Sequence, residues 1–179
     1  MARDRSVRPP GGTLQAEMGQ GRPFKSLNQE ATVALLRTAS VVTRAFARLV
    51  EPSGLSWAQY NALRIVRGAG RGGIPTLAIR ERMIDEGTTI TRLLDKLEAA
   101  GLVRRERAEP DRRQVICYAT EEGRRLLNQL DPKVDALDEV VMGVLPAARV
   151  EALVRTLGEI RAANADRGAP RATMTNVAS

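Results

Sequence analysis

Three hydroxyls and a guanidinium fall within five residues at Thr88, Thr89, Thr91 and Arg92, at the start of a helical pattern. Ile90, Leu93, Leu94 and Leu97 follow at i, i+3, i+4 and i+7 and make a single apolar stripe. That stripe turns Thr88, Thr89, Thr91, Arg92, Lys96 and Ala99 outward, with Asp95 among them. Hydroxyls suit phosphates and base edges, and an Arg pairs bidentately with guanine for about 1–3 kcal/mol of discrimination. Exposed backbone N–H groups at the same helix end favour a phosphate as well. The threonines would equally serve as caps of an ordinary surface helix.

A second basic cluster follows closely. Residues 102–114 hold five Arg against three acids. Arg104, Arg105 and Arg107 line a strand-like run, where they can follow a phosphate backbone, and Pro110-Asp111-Arg112-Arg113 forms the bend after it. Arg112 or Arg113 at a hairpin tip can enter a minor groove, where narrow width concentrates negative potential. Asp111 cannot face a phosphate, so its expected task is to hold an Arg side chain and shape the tip. A solvated charge cluster is the plain alternative. A helix-turn-helix beside a basic hairpin suits double-stranded DNA, one helix filling the major groove while the hairpin reaches phosphates or the minor groove.

Other chemistries find little here. There is no histidine and a single cysteine, Cys117, which removes the usual ligands and bases of zinc, haem and Ser-His-Asp sites. The glycine-rich Gly68–Gly73 stretch ends a helix and does not join a strand to one, so it is no nucleotide fingerprint. No cofactor, metal or catalytic role is expected. One cysteine also fits a reducing cytoplasm, and no apolar run approaches a membrane span or a signal-peptide core, so a soluble, cytoplasmic protein is expected. In its strand, Cys117 is expected to be a small packing residue. The net charge of +7 fits a polyanionic partner. Residues 75–118, however, carry nine Lys and Arg against eight Asp and Glu. Folding must therefore sort the acids away from the Arg-bearing face.

The elements that position these residues are mostly helical. Aromatics are only 3%, and the apolar content is mainly Ala, Leu, Val and Ile. Residues 1–26 form a flexible basic N-terminal arm, on which extra phosphate contact and an inert tail are both open. Residues 28–50 make a helix with apolar residues on more than one face, Val33, Leu36, Val41, Phe46 and Leu49 among them. Ser56 and Gln59 make a capping box for the next helix, with Leu55 and Tyr60 placed to staple it and Leu63, Ile65 and Val66 in its core. Pro75 opens a helix with Leu77, Ile79, Met83 and Ile84 as core candidates. The helix from Thr88 to Ala100 stops at Gly101, where Leu102 can pack back on Leu97. Strands are expected at Val103–Arg107 and Gln114–Tyr118. Thr120 caps a long helix that Pro132 kinks. Pro146 begins a last helix, with Val150, Leu153, Val154, Leu157 and Ile160 as its stripe, and 165–179 make a flexible tail.

Taken in order, Leu55-Ser56 with Gln59, Glu81-Arg82-Met83, Thr91-Arg92-Leu93-Leu94-Asp95-Lys96-Leu97-Glu98, Gly101-Leu102-Val103-Arg104-Arg105, Asp111-Arg112-Arg113 and Thr120 with Gly123 resemble the MarR family of winged-helix transcriptional regulators. The resemblance spans about residues 28–163. It implies a mainly α fold with a small β-hairpin wing. A winged helix-turn-helix domain at 55–120 would sit between dimerisation helices at 28–50 and 121–163. It further implies a homodimer on a pseudo-palindromic operator, with reading helices about 34 Å apart in successive major grooves. By transfer, Thr88, Thr89, Thr91 and Arg92 read the major groove, and Arg112 and Arg113 are wing-tip contacts buttressed by Asp111. The family often binds small phenolic or aromatic anions, so a small-molecule effector and a repressor role are expected. Trp57 and Tyr60 are candidates for its pocket, although their helix cap and staple explain them equally well. The family's oxidation sensors carry a cysteine near the start of the first helix, and this chain has none there. A winged-helix module that holds a protein partner and not DNA is the alternative, supported by the near-neutral charge of 75–118.

Overall fold

The computed structural model describes residues 14–84, 89–109 and 114–165. Thr88, Asp111, Arg112 and Arg113 lie outside them, as do the first half of the expected N-terminal arm and almost all of the C-terminal tail. The chain divides into two compact units, Met1–Asp131 and Pro132–Ser179.

The first unit begins with α1 (Leu14–Glu17) and α2 (Leu27–Val50), so the segment expected to be a wholly irregular arm carries a short helix. Ser26 caps α2 by accepting from the Gln29 N–H. A 3-10 turn at Glu51–Ser53 and Gly54, at φ +77°, end it. α3 (Trp57–Gly68) starts with the expected capping box. Ser56 Oγ accepts the Gln59 N–H at 3.2 Å, and Gln59 Oε1 accepts the Ser56 N–H at 2.8 Å. Two otherwise orphaned amides are thus satisfied by two side chains. Tyr60, Ala62, Leu63 and Val66 are fully buried on α3, whereas Ile65 is only half-buried.

After a second 3-10 turn come β1 (Ile74–Pro75) and α4 (Thr76–Arg82). Pro75 is the residue that precedes α4, where its missing N–H is no loss. Ile79 and Met83 are buried as expected, but Leu77 and Ile84 are exposed, a correction to their place in the core. α4 is too short to bury more than one narrow face. α5 (Ile90–Ala99) buries Leu93, Leu94 and Leu97. Each such side chain contributes roughly 1.5–3 kcal/mol when fully enclosed. Its end is a Schellman motif: Leu102 N–H donates to Leu97 O, Gly101 N–H donates to Glu98 O, and Gly101 sits at φ +70°.

β2 (Val103–Arg107) and β3 (Val115–Ala119) form the hairpin, with β3 one residue later than expected. β1 adds to the other edge of β3, giving an antiparallel sheet of order β1-β3-β2 in which Ile74 faces Cys117 and Arg105 faces Cys117 from the opposite side. Thr120 then starts α6 (Glu121–Met142) by accepting the Gly123 N–H and donating to Gly101 O at 2.7 Å. One hydroxyl therefore joins the end of α5 to the start of α6. Leu127 and Leu130 complete the core of this unit. α6 continues through Pro132 into the second unit, which also holds α7 (Ala147–Asn164). α7 has no buried residue, and Val154 and Ile160 are exposed on it. Among the described residues, no helix is long and apolar enough to cross a membrane.

Candidate nucleic-acid interface

α5 has three faces, each with its own chemistry. The core face carries Leu93, Leu94 and Leu97. A second face carries Thr89, Arg92 and Lys96, which line a groove of about 250 Å³ with Ser56, Ala58 and Gln59 from the start of α3. The third face carries Thr91, Asp95 and Glu98 and turns toward the hairpin. There Thr91 and Ile90 line a cleft of about 700 Å³ with Thr76, Leu77, Arg80, Glu81 and Arg105. Thr89 occupies the N-cap position of α5, yet its hydroxyl makes no capping bond. The capping alternative is therefore not realised at Thr89, and its oxygen stands at the helix entrance with the first-turn amides.

The cations differ sharply in what they do. Among the described residues, neither Arg92 nor Lys96 is held in an ion pair, and both are exposed. Arg105 is the opposite case. Its Nη2 donates to Asp95 Oδ1 at 2.7 Å and to Glu98 Oε2 at 2.6 Å, while Nε donates to Glu98 Oε2 at 2.8 Å. The Arg105 backbone N–H donates to the other Glu98 oxygen at 3.1 Å. Those hydrogen bonds hold the Glu98 carboxyl below the ordinary range and push the Arg105 guanidinium up.

Arg104, Arg105 and Arg107 do not share one surface. Side chains alternate along a strand, so Arg105 and Arg107 face one side of the sheet and Arg104 the other. The Arg104 guanidinium lies 4.1 Å from the centre of the Tyr118 ring and pairs with Glu106. Beneath that ring Gly73, at φ +68°, lets the backbone approach; a Cβ there would overlap Tyr118 and Ile116.

Trp57 and Tyr60 occupy a different region. Tyr60 is fully buried, its ring 5.2 Å from that of Trp57, which in turn lies 4.8 Å from Phe46. The Tyr60 hydroxyl donates to Asp131 Oδ1 at 2.8 Å, and Arg67 pairs with the other Asp131 oxygen at 2.6 Å. Burial first, then this bond, pushes the phenol well above its ordinary pKa and keeps it protonated. Cys117 is buried and 3.7 Å from the Thr76 hydroxyl, and burial pushes its thiol up. A protonated, enclosed thiol is a poor nucleophile.

Sequence reasoning passed over Glu98, Tyr118 and Asp131. For Glu98 a signal existed: it sits seven residues before Arg105 across a glycine-terminated helix, and such a reversal brings an acid and a base face to face.

A MarR family model matches residues 55–115. The chain is 31% identical over 131 residues to the HTH-type transcriptional regulator TtmR of Methylorubrum extorquens, an alignment that covers 73% of this chain and 66% of that relative. A MarR transcription factor structure from Planctomyces limnophilus is 35% identical, with a TM-score of 0.59, and the match covers 76% of this chain and 98% of that one. The structure of CouR from Rhodococcus jostii RHA1 bound to p-coumaroyl-CoA is 29% identical, with a TM-score of 0.65, covering 76% and 95%.

Proposed function

The chain belongs to the MarR family of transcriptional regulators, and we propose that it represses transcription by binding a pseudo-palindromic operator in duplex DNA as a homodimer. The carrying observation is the outer face of α5, where exposed Arg92 and Lys96 have no ion-pair partner among the described residues and stand beside a Thr89 hydroxyl that makes no capping bond. Such a face can enter a major groove. Arg92 then pairs with a guanine edge, Lys96 meets a phosphate, and the first-turn amides meet another. Ser56 and Gln59, across the groove from Arg92 and Lys96, border the path a backbone would take. Thr91, Arg107 and the wing residues Arg112 and Arg113, with Asp111 as their buttress, complete the surface in this reading, as does Thr88 at the entrance to α5. Arg104, turned to the other side of the sheet, contributes general positive potential and no base contact.

Dimerisation is supported by apolar side chains left exposed on α2 (Leu27, Leu36, Val41) and on α7 (Val154, Ile160). A monomer gains nothing from such surface, and burial against a second copy removes it from water. Two-fold pairing would set the two reading helices about one helical turn apart. Release by a small aromatic ligand belongs to the same proposal, supported by the likeness to CouR, solved with p-coumaroyl-CoA. In it Trp57 and Tyr60 act as packing residues, because the Tyr60 side chain is enclosed and its hydroxyl committed to Asp131.

The protein-docking alternative draws on the acids of the same region, and a mobility shift separates the two. With DNA from upstream of its own coding region, a discrete shifted band is expected that survives excess scrambled duplex. Equal competition by scrambled DNA, or no shift, contradicts sequence-specific binding and favours the docking module.

A further inference from the structure

We propose that Arg105 is a positioning residue that fastens the wing strand to the reading helix through Glu98 and Asp95, and so fixes the angle at which the two DNA-facing elements meet. The proposal rests on the reading of α5 and the hairpin as a DNA-binding surface.

β2 leaves α5 through a reversal at Gly101, and the Arg105–Glu98 contact closes that reversal seven residues apart. Two features separate it from a common surface ion pair, whose worth is small because two long side chains must be immobilised in water. First, Glu98 uses one oxygen on the Arg105 guanidinium and the other on the Arg105 backbone N–H. The carboxylate therefore holds the strand itself as well as a side chain. Second, the Arg105 side chain is 24% exposed, and its guanidinium spends Nε and Nη2 on two carboxylates one helical turn apart. Charge-assisted forked bonds of this kind fix geometry as well as supplying energy. Only Nη1 is left for an outside acceptor, so a phosphate is poorly served by this arginine. Arg105 also cancels much of the negative charge that Asp95 and Glu98 would otherwise present beside Arg92. The sorting of acids that the near-neutral composition demands is thus achieved by internal pairing on the reading helix.

Electrostatics and positioning predict opposite signs for one variant. Removing the Glu98 charge near a polyanion should tighten binding if charge alone mattered, whereas loss of the fastening should loosen it. Binding to operator and scrambled duplexes is measured over several salt concentrations for the wild type, Glu98→Gln, Arg105→Gln and the double variant, with thermal unfolding run in parallel. Each single variant is expected to weaken operator binding about tenfold, the scale of one charge-assisted hydrogen bond. The double variant is expected to be no weaker than the worse single, since both remove one coupling. The slope of affinity against salt stays at the wild-type value, because no phosphate contact is lost. Tighter binding by Glu98→Gln, or a slope lowered by about 0.9 in Arg105→Gln as for one lost phosphate contact, overturns the proposal, as do unchanged affinities. Should Arg105→Gln fail to fold, Glu98→Gln alone decides. A wild-type protein that binds no duplex brings down the DNA-binding reading itself, an outcome distinct from a wild type that binds and variants that do not differ.

Discussion

Arg92→Ala is expected to weaken binding to the specific duplex by about 1–3 kcal/mol, or roughly ten- to a hundredfold, while binding to scrambled DNA falls far less. Arg92 is on the outermost face of α5, opposite the Leu93, Leu94 and Leu97 stripe. It is exposed and lines the α3 groove, so truncation removes no folding contact and leaves no buried group unpaired. The entire loss should appear as lost discrimination. Arg92→Lys should not restore it, because an ammonium is a point charge without the planar fork that meets both guanine acceptors. Titration of both variants on operator and scrambled duplexes checks this. An equal loss on the two DNAs would reassign Arg92 to the phosphate backbone.

Gly123→Ala should have the largest effect on stability. Ordinarily alanine in place of a helical glycine stabilises by up to about 1 kcal/mol. Gly123, however, is buried in the first turn of α6, and an added Cβ would overlap the carbonyl oxygen of Leu102 and press on Leu63. That carbonyl cannot retreat freely: it accepts the Thr120 N–H at 3.1 Å, while the Thr120 hydroxyl ties α6 to Gly101 O. The obstruction is backbone against backbone at the junction of α5, β2 and α6, where overpacking costs about 1–3 kcal/mol. The melting temperature should fall by roughly 3–10 °C. A rise on thermal unfolding would show that the junction yields and that Gly123 is an ordinary helical glycine.

What was legible in the chain was mostly local. The Ser56–Gln59 box, the Gly101 ending with Leu102 folded back, and the Thr120 cap each depend on three to six consecutive residues, and each formed as expected. The α5 stripe was legible because three adjacent apolar rows leave only one face for a core. Leu77 and Ile84 were misplaced because periodicity shows that a helix has apolar positions but not how much neighbouring structure reaches them. β1 left no signal, since two residues that pair with β3 through backbone groups alone have no side-chain pattern. The division of Arg104 from Arg105 and Arg107 follows from strand alternation, and was available without coordinates. The seven-residue spacing of Glu98 and Arg105 across Gly101 carried part of the fastening, but the Asp95 arm and the second Glu98 oxygen on the Arg105 N–H emerge only once β2 has folded against α5.

Cleavage protection on DNA from upstream of the coding region tests the central claim most directly. Two protected patches are predicted, centred about 10 base pairs apart on one face of the duplex. Methylation of guanine N7 within each patch should block binding by wild-type protein, and block it much less for Arg92→Ala. A single patch, uniform coverage without a preferred position, or binding indifferent to guanine methylation would contradict a two-fold reader whose Arg92 enters the major groove.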